Sequence, residues 1–177
     1  MIRPQVSSSV IAPSLPSTFI ALHVSAWHDR THWATLLDET GCPICTSGIP
    51  GDVIAELDSS WVTMSEVAPM RGYACLVAYD HVIELHDLAE EQATGFIRDA
   101  RRLSRAISLA VQPIKLNYEI HGNTIPHLHM HFFPRYVGDP FEGHPINPRS
   151  IVSPVYTPGE FATVYRAVRR ALAERAV

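Results

Sequence analysis

The segment Asn123–Tyr136, NTIPHLHMHFFPRY, decides how this 177-residue chain is read, because histidine recurs at every second position, 127, 129 and 131, inside an otherwise apolar run. In an extended strand successive side chains alternate faces. The three imidazoles therefore share one face while Leu128, Met130 and Phe132 take the other. At ~3.3 Å rise per residue, neighbouring imidazoles start roughly 6.6 Å apart, near enough to converge on one small anionic group or one metal ion. A single outward histidine is an ordinary half-exposed side chain, but packing gives no reason to repeat imidazole three times. Two chemistries stay open: chelation of a metal, or a nucleophilic imidazole held by its two neighbours. With a reference pKa of about 6.5, imidazole is largely neutral at pH 7, and its unprotonated nitrogen can attack phosphorus to give a labile phosphoimidazole.

Around this segment the chain has the composition of one globular domain, with 46% hydrophobic and 18% charged residues and a formal net charge of -4. That balance argues against a disordered chain or a polyanion binder, so nucleic acid is not an expected partner. No apolar run approaches the ~20 residues of a spanning helix, and the first residues lack a compact signal core, so a cytoplasmic protein without a membrane partner is expected. Three cysteines are too few for a disulfide scaffold. Two of them, Cys42 and Cys45 in CPIC, have the spacing of metal ligands or of a redox couple.

Upstream, SAWHDRTHWATLLDET reads as a short helix with Trp27, Ala34 and Leu37 on one face, stopped by Gly41. DVIAEL and WVTMSE flank the turn residues Asp58, Ser59 and Ser60 as a hairpin, and the apolar GYACLVAY suits a central strand. Asp87 with Glu90 predicts a cap for a long helix whose buried stripe is Phe96, Ala100, Leu103, Ile107 and Val111, ending before Pro113. IKLNYEIHG and HLHMHFFPRY follow as strands. TPGE then predicts a helix start, with Thr157 as cap, Pro158 in the first turn and Glu160 closing the box, ahead of Phe161, Val164, Tyr165, Val168 and Leu172. This order of elements favours an α+β fold with a mainly antiparallel sheet.

HLHMHFFPRY, preceded by GNT and followed by GD a residue later, resembles the His-x-His-x-His signature of the histidine triad (HIT) family of nucleotide hydrolases and transferases. CPIC, GYACLVAYDHVIELHDL and the long helix extend the likeness over roughly residues 42–139. The resemblance implies a HIT-like fold, with a five-stranded, mainly antiparallel sheet and a long crossing helix, paired into a ten-stranded sheet in a homodimer. It divides the chain into a flexible arm (1–18), a HIT domain (19–140) and an extension with an amphipathic helix (141–177).

The substrates it implies are nucleoside phosphate derivatives, either dinucleoside polyphosphates or nucleoside phosphoramidates. His129 would be the nucleophile that forms a covalent nucleotidyl-histidine, His131 would bind phosphate and assist the leaving group, and His127 would orient the site. Asn117, Gly122, Asn123 and Thr124 stand where the family binds phosphate, and Trp61 and Val62 are candidates for the base pocket. Alternatives of another class are a transferase or phosphorylase, and a nucleotide-binding regulatory module with little turnover. The resemblance further implies a structural zinc on Cys42, Cys45, His81 and His127, and no organic cofactor. Arg135 and Arg149 are candidates to meet polyphosphate, whereas His23, His28, His32, His121 and His144 read as surface or packing residues. The chain departs from the family pattern in three places: Arg71-Gly72-Tyr73 stands for Pro-Gly-His, Tyr79-Asp80 for Pro-Lys, and Ser65 or Glu66 for the ribose-binding aspartate.

Overall fold

The structure, a computed structural model, describes residues 26–147, 150 and 154–174. The expected arm, His23 and Arg149 lie outside the described residues. Five strands form one antiparallel sheet: β1 (Val53–Glu56), β2 (Ser60–Thr63), β3 (Ala74–Ala78), β4 (Lys115–Ile120) and β5 (His129–Arg135), in the order β1-β2-β3-β5-β4. The apolar run expected at the centre is β3, and all five of its residues are buried.

The helices are α1 (Arg30–Leu36), α2 (Pro43–Ser47), α3 (Glu90–Val111) and α4 (Glu160–Ala173). The stripe Phe96, Ala100, Leu103, Ile107 and Val111 is buried as its spacing predicts, against Val62, Leu76, Met130 and Phe132 from one face of the sheet. The α4 residues Val164, Val168 and Leu172 extend the same core, packing along α3 and β1. All helical burial is thus spent on one face. The other face, carrying Trp61, Cys75, Val77, His129, His131 and Phe133 by register, is left to build a site.

The β1–β2 hairpin sits unusually close to α3. A Cβ at Gly95 would lie 2.1 Å from the Ser59 hydroxyl, so only glycine permits the approach. Four residues on, the fully buried Asp99 accepts hydrogen bonds from the Ser59 N–H and the Ser60 hydroxyl, each at 2.8 Å, which closes the turn onto the helix.

Helix starts differ from the sequence expectation. Asp87 does not cap α3: its carboxylate accepts the Glu84 N–H at 3.0 Å within a single 3-10 turn, Leu85–Asp87. Leu88 and Ala89 are extended, and α3 begins at Glu90 with the Gln92 side chain accepting the Ala89 N–H. At TPGE, Thr157 donates both its N–H and its hydroxyl to the Glu160 carboxylate, and the left-handed Gly159 (φ 79°) delays α4 to Glu160. The first expected helix is broken in two, a 3-10 turn at Ala26–His28 and then α1, because the Asp29 carboxylate accepts the His32 N–H and restarts it. Among the described residues no helix is long and apolar enough to cross a membrane.

Candidate active site and metal centre

The three histidines do not act as one row. β5 starts at His129, and His127, two residues before it, is turned away into a buried cluster. His129 and His131 remain on the open face with ring centroids 4.7 Å apart, edge to face. The His129 Nδ1 donates to the His127 carbonyl at 2.6 Å, and since a carbonyl can only accept, the neutral ring carries its proton there. Its Nε2 lone pair makes no hydrogen bond among the described residues. Burial lowers the pKa of His129 below the usual histidine value, which keeps that lone pair available.

His131 is held differently. The Tyr73 hydroxyl lies 2.6 Å from its Nδ1, the two rings are stacked, and Phe133 packs against both. Burial, reinforced by His129 and His121, pushes His131 down to about 4, so it is neutral at pH 7. Cys75 faces His131 across the β3–β5 register, buried on the site side of the sheet. Its thiol is pushed up to about 12 by burial alone, which keeps it protonated.

The expected phosphate-binding residues lie on β4 and in the turn that leads from it to His127. Gly122 adopts φ 68°, which L side chains rarely tolerate, and turns the chain from β4 toward the triad. Asn123 and Thr124 are exposed in the bend that follows. Asn117 lies on β4 opposite Phe133 and lines a cavity of about 510 Å³ with Lys115, Glu119, Arg135 and Tyr136.

Three expectations are corrected. Val62 is fully buried in the helix-side core and cannot touch a base, whereas Trp61, on the opposite side of β2, packs edge to face on Tyr79. Arg135 is not free for polyphosphate: it is buried, forks onto Asp139 at 2.8 and 2.9 Å, and donates to the His144 and Phe141 carbonyls, organising the loop after β5. His121 is not an isolated surface residue: its ring centroid is 5.4 Å from that of His131, and its Nε2 lies 2.8 Å from the Glu119 carboxylate. Glu119, directly opposite His131 on β4, went unnoticed in the sequence, although its alternation with Asn117 on one face of β4 was a usable signal.

Beside the pair, Cys42, Cys45, His81 and His127 bring four ligand atoms within 4.8 Å of one another. The Nε2 atoms of His81 and His127 donate to the Leu37 and Ala78 carbonyls at 3.0 and 2.9 Å, which leaves both Nδ1 lone pairs aimed inward. There the two Nδ1 atoms stand 3.3 Å apart, and His127 Nδ1 is 3.6 Å from each sulfur. A tetrahedral zinc ion, with Zn–S ≈ 2.3 Å and Zn–N ≈ 2.0–2.1 Å, sets its ligands at about these separations. Burial and the neighbouring Cys42 push the Cys45 thiol up to about 11, and a cation between the sulfurs is what reverses such a shift. The residues fit zinc in number, geometry and donor type.

The HIT domain family model matches residues 46–138, and the chain belongs to this family. It is 30% identical over 113 residues to the Hit protein of Bacillus subtilis, covering 56% of this chain and 73% of that one. It is 27% identical to an adenosine 5'-monophosphoramidase of Saccharomyces cerevisiae, over 53% of this chain and 60% of the yeast protein. A histidine triad protein of Bradyrhizobium japonicum superposes with a TM-score of 0.60 at 28% identity, covering 68% of this chain and 89% of the other. A Zn-bound histidine triad family protein of Mycobacterium smegmatis shares the fold with a TM-score of 0.57 at 22% identity, covering 77% and 96%.

Proposed function

We propose that this chain hydrolyses nucleoside phosphate derivatives, dinucleoside polyphosphates or nucleoside phosphoramidates, through a covalent nucleotidyl-His129. The observation that carries the reading is the 2.6 Å bond from His129 Nδ1 to the His127 carbonyl, which leaves Nε2 unprotonated on the open face. His131 offers a neutral ring beside it to the phosphate, and His127 contributes orientation through its carbonyl. In this reading Gly122, Asn123 and Thr124 from the turn after β4, with Asn117 on the His131 side of that strand, bind the nucleotide. The names of two yeast relatives, both adenosine 5'-monophosphoramidases, support the reaction class.

Zinc has a structural part in this reading. Held by Cys42, Cys45, His81 and His127, it ties the segment around α2 to the residues after β3 and fixes the His127 backbone that orients His129. A homodimer formed along β4 completes the proposal. That strand is an edge of the sheet, and it and its entry expose Ile114, Tyr118 and Ile120, the kind of edge that proteins cover. A reducing, cytoplasmic setting is part of the reading, since it keeps Cys42 and Cys45 available to zinc as thiolates.

The test is release of AMP from adenosine phosphoramidate and from diadenosine tetraphosphate by the wild type and by His129→Ala, with and without chelator. Turnover that disappears with His129 is expected. A folded, active His129→Ala protein would refute the nucleophile.

A further inference from the structure

We propose that Tyr73 is a positioning residue that fixes His131 as a neutral hydrogen-bond donor. Its hydroxyl donates to Nδ1 and so leaves the ring proton on Nε2, the nitrogen available to a phosphate oxygen. The inference rests on the hydrolase reading above for the identity of the ligand, and on the site's own geometry for the rest.

The contact is short, 2.6 Å, and joins residues 58 apart in sequence. Direction follows from the chemistry of the two groups. His131 is the one hydrogen-bond partner of the Tyr73 hydroxyl among the described residues, so donation to Nδ1 satisfies the phenol proton without an acceptor from outside the pair. Burial, with Cys75 and Glu119 nearby, raises the pKa of Tyr73, so the O–H remains a donor. Stacking on His131 at 21° and packing against Phe133 at 5.0 Å restrict rotation of both rings. The titratable neighbours of His131 are His129 on its own strand, Tyr73 and Cys75 on the β3 side, and Glu119 and His121 on the β4 side. Of these, Tyr73 is the one bonded to it.

A consequence separates this from a general-acid role. A neutral ring that gave its Nε2 proton fully to a leaving group would become an imidazolate, far too basic to form at neutral pH, or, by taking the Tyr73 proton at Nδ1, would leave a buried tyrosinate, which the raised pKa of Tyr73 disfavours. His131 therefore stabilises charge on the phosphate by hydrogen bonding, and the proton taken by the leaving group comes from elsewhere, water or a group of the substrate.

The tautomer is readable without turnover. In 15N-labelled protein at pH 7, with the His131 ring signals assigned by their loss in His131→Asn, the wild type should show a pyridine-like Nδ1 and a pyrrole-like Nε2. Adding AMP should shift Nε2. Tyr73→Phe should average the two nitrogen signals and lower kcat on the order of tenfold or more, with a smaller change in KM. Tyr73→His, which keeps a ring N–H donor at the position, should restore the Nε2–H signature and part of the rate. A pyrrole-like Nδ1 in the wild type, or an unchanged tautomer in Tyr73→Phe, would overturn the proposal. Should the wild type release no AMP from either substrate, the nitrogen shifts still decide the Tyr73–His131 relationship, and only the hydrolase reading falls.

Discussion

The Nδ1 atoms of His81 and His127 face each other across 3.3 Å, while the opposite nitrogen of each ring is committed to a backbone carbonyl. Two inward lone pairs at that distance repel unless a proton or a cation lies between them. With two cysteine sulfurs completing the group, a single divalent ion resolves the conflict.

Protein purified without added metal is therefore expected to carry about one zinc per chain by elemental analysis. Replacing Cys42 or Cys45 with serine should remove it and lower the melting temperature by ten degrees or so, because binding energy of a structural zinc is folding energy. Zinc-free wild type with unchanged stability would contradict the assignment.

A covalent intermediate predicts a trapped adduct. Mixing protein with adenosine phosphoramidate and quenching in alkali, where phosphoimidazole bonds survive, should give a mass increase of one adenylyl group on the peptide containing His129. The adduct should be absent from His129→Ala and should accumulate if hydrolysis is slower than transfer to the imidazole.

Asp99 is a stability determinant far from the chemistry. Fully buried, it accepts from the Ser59 N–H and the Ser60 hydroxyl and lies 3.6 Å from Arg102. Asp99→Asn is expected to cost on the order of 1–3 kcal/mol, since one accepting oxygen becomes a donor facing donors. Asp99→Ala should cost roughly 3 kcal/mol by leaving the Ser59 and Ser60 donors without their acceptor, while Arg102 keeps Asp58 at 3.4 Å. Urea unfolding at pH 7 measures both, and neutral effects would show that the hairpin is held by its apolar contacts alone.

The depressed pKa of His131 predicts acid sensitivity with a definite sign. The unfolded histidine protonates near 6.5 and the folded one near 4, so below pH 6.5 the unfolded state binds more protons. This contribution to stability is complete above about pH 6.5, declines as the pH falls toward 4, and then levels off. Urea midpoints of wild type and His131→Gln between pH 7.5 and 4.5 should diverge accordingly, the variant losing less. Parallel curves would mean that other groups dominate the acid limb.

What the sequence determined by itself is what depends on local periodicity. The alternation of His129 and His131, the stripe from Phe96 to Val111 and the apolar β3 all follow from the repeat of the backbone, and those residues lie in β5, α3 and β3 as that repeat placed them. The family was legible because its signature is one continuous stretch of sequence. Tertiary structure decided which way each side chain was used. His127 leaves the row because β5 begins two residues after it, and Arg135 turns inward because Asp139 and two carbonyls of the following loop surround it. Tyr73 reaches His131 across 58 residues, and Glu119 brings His121 beside the same ring through the β4–β5 register. Such contacts depend on strand register and rotamers set by packing of the whole core, and no local pattern encodes them.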